Sequence, residues 1–277
     1  GVQKEGVDGI ITQACFTLHP KLEHSQTLCL EFYGNSMQNA MLVIKDLVKL
    51  RDTFRENGEE VKISALEEFG SKYVQAIDYR KKSKQYEGDP ISVLLLQLDS
   101  FDQGMLAKRT QDIKKIVQEY HNVDVFKARD EQEAKIFWED RHKLSAITKR
   151  TSGFKINEDV VIPIDFIPEF SKHVEDLNLY YLALAYRNAL LQVNALEGTD
   201  PGDEFIDMEL NYCSLIFNEQ VSTEDLAEQE LELQIHYFFR DLSNRYPNLQ
   251  AKFDQIEQEL FNTRVMIANH MHAGDGN

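Results

Sequence analysis

Across its first two thirds the chain switches repeatedly between apolar residues at every second position and apolar residues at helical spacing. Few folds accommodate that rhythm. Residues 10–18 and 27–33 alternate as strands on either side of a loop at Pro20. Over residues 36–55, Met37, Ala40, Met41, Ile44, Leu47 and Val48 follow a helical period, with Ser36 placed to cap the helix and Gly58 beyond its end. Strands are expected at 61–66, 92–98 and 123–126, helices at 69–79, 101–120 and 130–149, and extended chain at 154–163. This order predicts an α+β fold: an antiparallel sheet of split β-α-β (ferredoxin-like) units covered by helices, with a mostly helical insertion after it.

The insertion is marked by charge. Residues 188–239 contain no Lys or Arg but twelve Asp and Glu, which supply much of the formal net charge of −17. Helical patterning at 177–196 and 226–260 flanks a loop at 197–203. The surface is either a solvated helical face or a docking face for a basic partner or neighbouring domain. The chain therefore divides into 1–20, a leading segment; 21–170, the α+β domain; 171–262, the acidic helical insertion; and 263–277, a returning strand. Such acidity argues against nucleic acid and anionic membrane as partners. No apolar run approaches the roughly 20 residues of a membrane span. Cys15, Cys29 and Cys213 are odd in number and make no Cys-X-X-Cys, which fits a reducing, cytoplasmic setting and argues against a disulfide scaffold or a cysteine-held cluster in this stretch.

Two constellations carry chemistry. Residues 265–268 are an apolar, partly β-branched run, expected as a buried strand leading into His270, His272 and the Gly274-Asp275-Gly276-Asn277 turn. Histidines two apart on a strand share a face. A divalent metal needs three or four donors, so this segment would require ligands from elsewhere. In the second constellation, Arg141 and Ser145 lie four apart on a helix, and Lys155, Asn157 and Asp159 alternate along extended chain. Arg and Lys converging from two elements form a carboxylate clamp; left apart, they are surface ion pairs of small worth. A substrate with a second carboxylate would need a further cation, for which His142, Lys143, Lys149 and Arg150 are candidates.

Residues 5–12 (EGVDGIIT) running to Leu18-His19-Pro20, residues 154–163 (FKINEDVVIP) and residues 272–277 (HAGDGN) together resemble one family. It is the FAD-linked oxidases of the vanillyl-alcohol-oxidase type, in particular the C-terminal substrate or cap domain of D-lactate, glycolate and D-2-hydroxyglutarate dehydrogenases. The long bacterial members fused to an iron–sulfur segment are the most similar. The resemblance implies that Arg141, Ser145, Lys155 and Asn277 bind substrate, although the family pattern has Thr where Ser145 stands. It implies that His272 is a first ligand to a divalent metal such as zinc or manganese, that Gly6, Gly9 and Ile11 approach FAD, and that an iron–sulfur cluster lies elsewhere in the parent. His270 has no firm counterpart in the family.

A second metal histidine and the catalytic base would follow Asn277, so no catalytic residue is assigned within the chain. The phosphate-binding loops for FAD are likewise expected in a separate domain, so residues 1–277 alone are expected to be inactive and to bind no flavin tightly. Two other readings compete: a metal-dependent hydrolase using His270, His272 and Asp275, and a non-catalytic interaction module built on the acidic insertion.

Overall fold

The computed structural model describes residues 10, 12–18, 20–143, 159–200, 203–223, 225–267 and 270–273. Strand β1 (His24–Phe32) takes an inner place in its sheet because both of its faces are buried along most of its length. Leu28, Leu30 and Phe32 fill one side, while Cys29 and Glu31 fill the other. It pairs antiparallel with β3 (Ser92–Ser100) and with β4 (Val123–Lys127); β2 (Val61–Gly70) pairs antiparallel with the far edge of β3. The resulting order, β2-β3-β1-β4, is the split β-α-β arrangement expected from the sequence.

Helices α1 (Gln38–Glu56) and α3 (Gln103–Gln118) cover the first face, where Val43, Leu47, Ile113 and Val117 meet Leu28, Leu30, Leu94 and Leu96. Between β2 and β3 runs a short α2 (Ser71–Ala76), briefer than the helix expected over 69–79 because β2 continues to Gly70. Helix α4 (Glu131–His142) crosses the second face with Ala134, Phe137 and Trp138 against Cys29, Val93 and Leu95. The helix expected over 130–149 ends at His142 with Lys143 as its C-cap, and 144–149 lie outside the described residues.

The remaining chain holds β5 (Asp159–Ile162), α5 (Ile167–Asn194), α6 (Glu204–Phe217), α7 (Glu228–Arg245), α8 (Gln250–Thr263) and β6 (His270–Ala273). Helix α5 belongs to two cores. Ile167 at its start lies in the core of the sheet, whereas Leu182, Tyr186, Leu190 and Val193 pack with α6, α7 and α8. The acidic insertion is accordingly a helical layer with its own apolar centre, and its first helix is also a cover of the sheet domain.

Two expectations fail. Residues 12–18 form no strand, with Phe16 and Leu18 79% and 84% exposed; an alternating segment needs a partner ladder, and this one has none among the described residues. Residues 264–267 form no buried strand either, since Asn178 on α5 holds both the N–H and the carbonyl of Ile267 and Val265 and Met266 are half-exposed.

The cap of α1 also differs. The Ser36 hydroxyl reaches the Gln38 N–H at 3.2 Å, but the Met37 N–H is taken by Glu175 of α5 at 2.8 Å, which also accepts from Ser36. A carboxylate from a helix 138 positions later thereby satisfies the positive end of α1. Glu175→Ala leaves that end unsatisfied and is expected to cost about 1–3 kcal/mol of unfolding free energy in urea titration. Glu175→Gln, which retains an acceptor, is expected to cost less.

Glu68 on β2 gives a second test. Burial pushes its carboxyl up to about 7, against the pull of the Ser92 hydroxyl at 2.6 Å; the residue is partly exposed as a whole, but its acidic end is the deep part. Because the folded state raises this group above its ordinary value, folding favours the neutral form. The stability it contributes is fully present below about 4.5 and is lost as pH rises through about 7. Relative to wild type, Glu68→Gln should therefore be near neutral at pH 4.5 and gain about 1–3 kcal/mol by pH 8 in denaturant titrations at the two pH values.

Candidate functional site at the end of helix α4

Asp130 opens α4 by accepting the Glu133 N–H at 2.8 Å, and Phe137 anchors the helix to the sheet. One turn beyond Phe137 comes Arg141, which therefore faces the sheet as well. Its Nε–H donates to Oε2 of Glu67 on β2 at 2.9 Å, with the two side chains 30% and 39% exposed. Tyr73 of α2 fixes the same helix end, its hydroxyl donating to the Asp140 carbonyl at 2.6 Å. Lys143, just past the helix, pairs with the Asp140 carboxylate at 2.7 Å, and the His142 Nδ1 lies 2.8 Å from the Trp138 carbonyl. Three elements, α2, β2 and α4, thus converge on Arg141.

The sheet beside this point changes character. Leu95 and Cys29 are apolar and covered by α4, but the positions that follow on the same face are Gln97 and Asp99 on β3 and Thr27 and Ser25 on β1. The Gln97 amide donates to both Asp99 oxygens at 3.1 Å, Ser25 donates to Asp99, and the Trp138 indole N–H reaches the Thr27 hydroxyl at 3.4 Å. Thr27 is buried, while Gln97, Asp99 and Ser25 stay partly solvated and form a polar shelf that begins one step along the face from Leu95, the strand partner of Glu67, to which Arg141 is bound. A guanidinium is suited to grip a carboxylate in a bidentate manner.

At the other end of the same face the titratable groups are fully used. Glu31, wholly buried, accepts from the Tyr33 and Tyr79 hydroxyls and from the Lys82 and Ser83 N–H groups at 2.7–2.9 Å. Burial raises the Cys29 thiol to about 11 and lifts Tyr79 far above the ordinary phenol value. These groups hold the segment after α2 against the sheet; a thiol so raised is a poor nucleophile.

Strands β5 and β6 pair in parallel, with His270 opposite Asp159 and His272 opposite Val161. Residues 159–162, at the end of the FKINEDVVIP stretch, and residues 270–273, which carry His272, thus become backbone neighbours although more than a hundred positions separate them. Of the other residues named from sequence, Gly6, Gly9, Ile11, Ser145, Lys155, Asp275 and Asn277 lie outside the described residues, as do the second-carboxylate candidates Lys149 and Arg150. Among the described residues no group of three His, Cys, Asp or Glu is arranged to hold a metal. A cavity of about 280 Å³ between α5 and α8, lined by Asn188, Gln192, Glu259 and Arg264, holds none of the expected site residues.

Glu67, Tyr73, Gln97 and Asp99 did not emerge from the sequence reading. The one available signal was the intrusion of Gln97 and Asp99 into a leucine-rich strand.

Residues 34–182, just over half of the chain, match the family model described as FAD linked oxidases, C-terminal domain. The match begins just after β1 and ends inside α5. No curated protein matches the chain.

Proposed function

Because the chain belongs to the FAD-linked oxidase family, as its C-terminal domain, we propose that it forms the substrate-binding side of a flavin-dependent oxidation of a D-2-hydroxy acid, namely D-lactate, glycolate or D-2-hydroxyglutarate. In this reading Arg141 and Lys155 hold the substrate carboxylate, Ser145 and Asn277 contact the same substrate, and His272 contributes one arm of a divalent metal site. Gly6, Gly9 and Ile11 lie where the chain meets FAD, which is bound chiefly by a separate domain. A bound flavin would supply hydride-accepting redox chemistry, and a divalent metal, zinc or manganese, held in part by His272 would supply Lewis acidity toward the α-hydroxyl. The donor set fits an arm of such a site rather than the whole of it, since one or two imidazoles leave at least one position to other ligands.

The reading is supported above all by the parallel pairing of β5 with β6, because it sets the strand that carries His272 beside residues 159–162 of the FKINEDVVIP stretch. Arg141 adds to that support: a guanidinium near a polar shelf suits a small anionic substrate in a chain of net charge −17, where attraction must be local. For a dicarboxylate the second carboxylate would fall to His142, Lys143, Lys149 or Arg150, of which Lys143 is paired with Asp140.

The test is a dye-reduction screen of the flavin-loaded protein, including its FAD-binding domain, with the D and L forms of the three acids where both exist. One D-acid should reduce the dye, chelation should abolish the rate, and Arg141→Ala and Lys155→Ala should each raise KM about 10- to 100-fold, the worth of a charged hydrogen bond. Absence of reduction by all three acids would sink the proposal.

A further inference from the structure

We infer that Glu67 is a positioning residue for the carboxylate clamp, holding Arg141 by its Nε–H so that the two terminal guanidinium nitrogens are presented to the substrate carboxylate. The inference rests on the clamp reading of Arg141 proposed above.

A guanidinium carries five N–H donors and binds a carboxylate through two of them, either side-on through Nε and one terminal nitrogen or end-on through both terminal nitrogens. Glu67 occupies Nε at 2.9 Å, and among the described residues no acceptor is engaged by the terminal nitrogens. Only the end-on mode then stays fully open. The anchor is itself well fixed. Glu67 lies in the β2–β3 ladder opposite Leu95, a core residue, and Phe69 two positions on is buried on the same face. The backbone that carries Arg141 is held independently, by Phe137 beneath the helix and by Tyr73 at the Asp140 carbonyl. With both ends of the pair fixed, much of the side-chain freedom of Arg141 is removed before substrate arrives. An unanchored arginine would lose that rotamer entropy on binding.

The opposing effect is charge, since Glu67 partly neutralises the cation that should attract an anion. Both side chains are about one-third exposed, so water screens this cost and the pair is weak as an ion pair. Orientation therefore outweighs attenuation. It follows that the hydrogen bond matters more than the charge, which separates positioning from simple ion pairing.

Steady-state kinetics of the flavin-loaded protein with its FAD-binding domain test this. Glu67→Gln keeps an acceptor for Nε and should leave KM within about twofold, whereas Glu67→Ala should raise KM about 5- to 10-fold with kcat changed less. Glu67→Asp, which draws the carboxylate back by a methylene, serves if the alanine variant does not fold and should raise KM about threefold. On an Arg141→Ala background, Glu67→Ala should add nothing, because Glu67 acts through Arg141.

A raised KM for Arg141→Ala with Glu67→Ala indistinguishable from wild type overturns the inference alone. So does a further rise when both are removed, or a collapse of kcat in Glu67→Gln, which would make Glu67 a proton carrier. An unaltered KM in Arg141→Ala overturns the clamp reading and this inference with it.

Discussion

The fold depends on a sheet whose inner strands are apolar on both faces. β1 and β3 bury Leu28, Leu30, Leu94 and Leu96 on one side and Cys29, Val93 and Leu95 on the other, so neither side can be left to water. Two long helices close the first face. The second is closed by α4 and by the segment after α2, tied down through the three hydrogen bonds that Tyr79, Lys82 and Ser83 donate to Glu31. A cover of that kind has an edge. At that edge the strands turn from leucine to Gln97 and Asp99, and Arg141 projects from the last turn of α4. The candidate site is therefore a consequence of where the apolar surface, and the helix needed to hide it, come to an end.

The helical layer is joined to the sheet domain by charge as well as by packing. Lys72 at the start of α2 lies 2.7 Å from Glu232, and Arg264 after α8 lies 2.6 Å from the same carboxylate, with Glu228 within 3.6 Å of both cations. The Arg264 side chain is only 8% exposed. A cation so buried is costly unless paired, and two carboxylates from α7 do the pairing; the two cations in turn help to hold Glu232 below the usual carboxylate range, against the opposing effect of burial. The cluster sits where α2, α7 and the chain beyond α8 meet. The stretch poorest in basic residues is thus neutralised where it matters most by cations from outside it.

Fold class, the split β-α-β pattern and most helices were legible in the sequence because each rests on local periodicity backed by burial. The misreadings have a common origin. Residues 12–18 alternate correctly but have no partner strand among the described residues, and 264–267 are apolar but are held by Asn178 from α5. Periodicity says what a segment could pair with, not whether a partner is within reach. Arg141 was readable as a candidate from its spacing to Ser145 and its chemical type. Glu67 was not, because its meaning comes from the register of β2 against β3 and the length of α4, neither of which is encoded near residue 67. Glu175 as the cap of α1 is of the same kind: the sequence offered Ser36, and the fold supplied a carboxylate from a helix far downstream.

The charge of the whole chain sharpens what the site must be. With a net charge of −17, much of it placed in the helical layer, long-range steering would repel an anionic ligand. At physiological ionic strength that repulsion fades over roughly 8 Å, so the balance is set by groups in direct reach. Arg141 is one such group, and Glu67 partly neutralises it. In the proposed reading, recognition at this point would rest on directed hydrogen bonds from an oriented guanidinium rather than on a basic field. Selection by geometry favours a small planar carboxylate over polyanions such as nucleic acid, the partner that the composition of the chain already disfavoured.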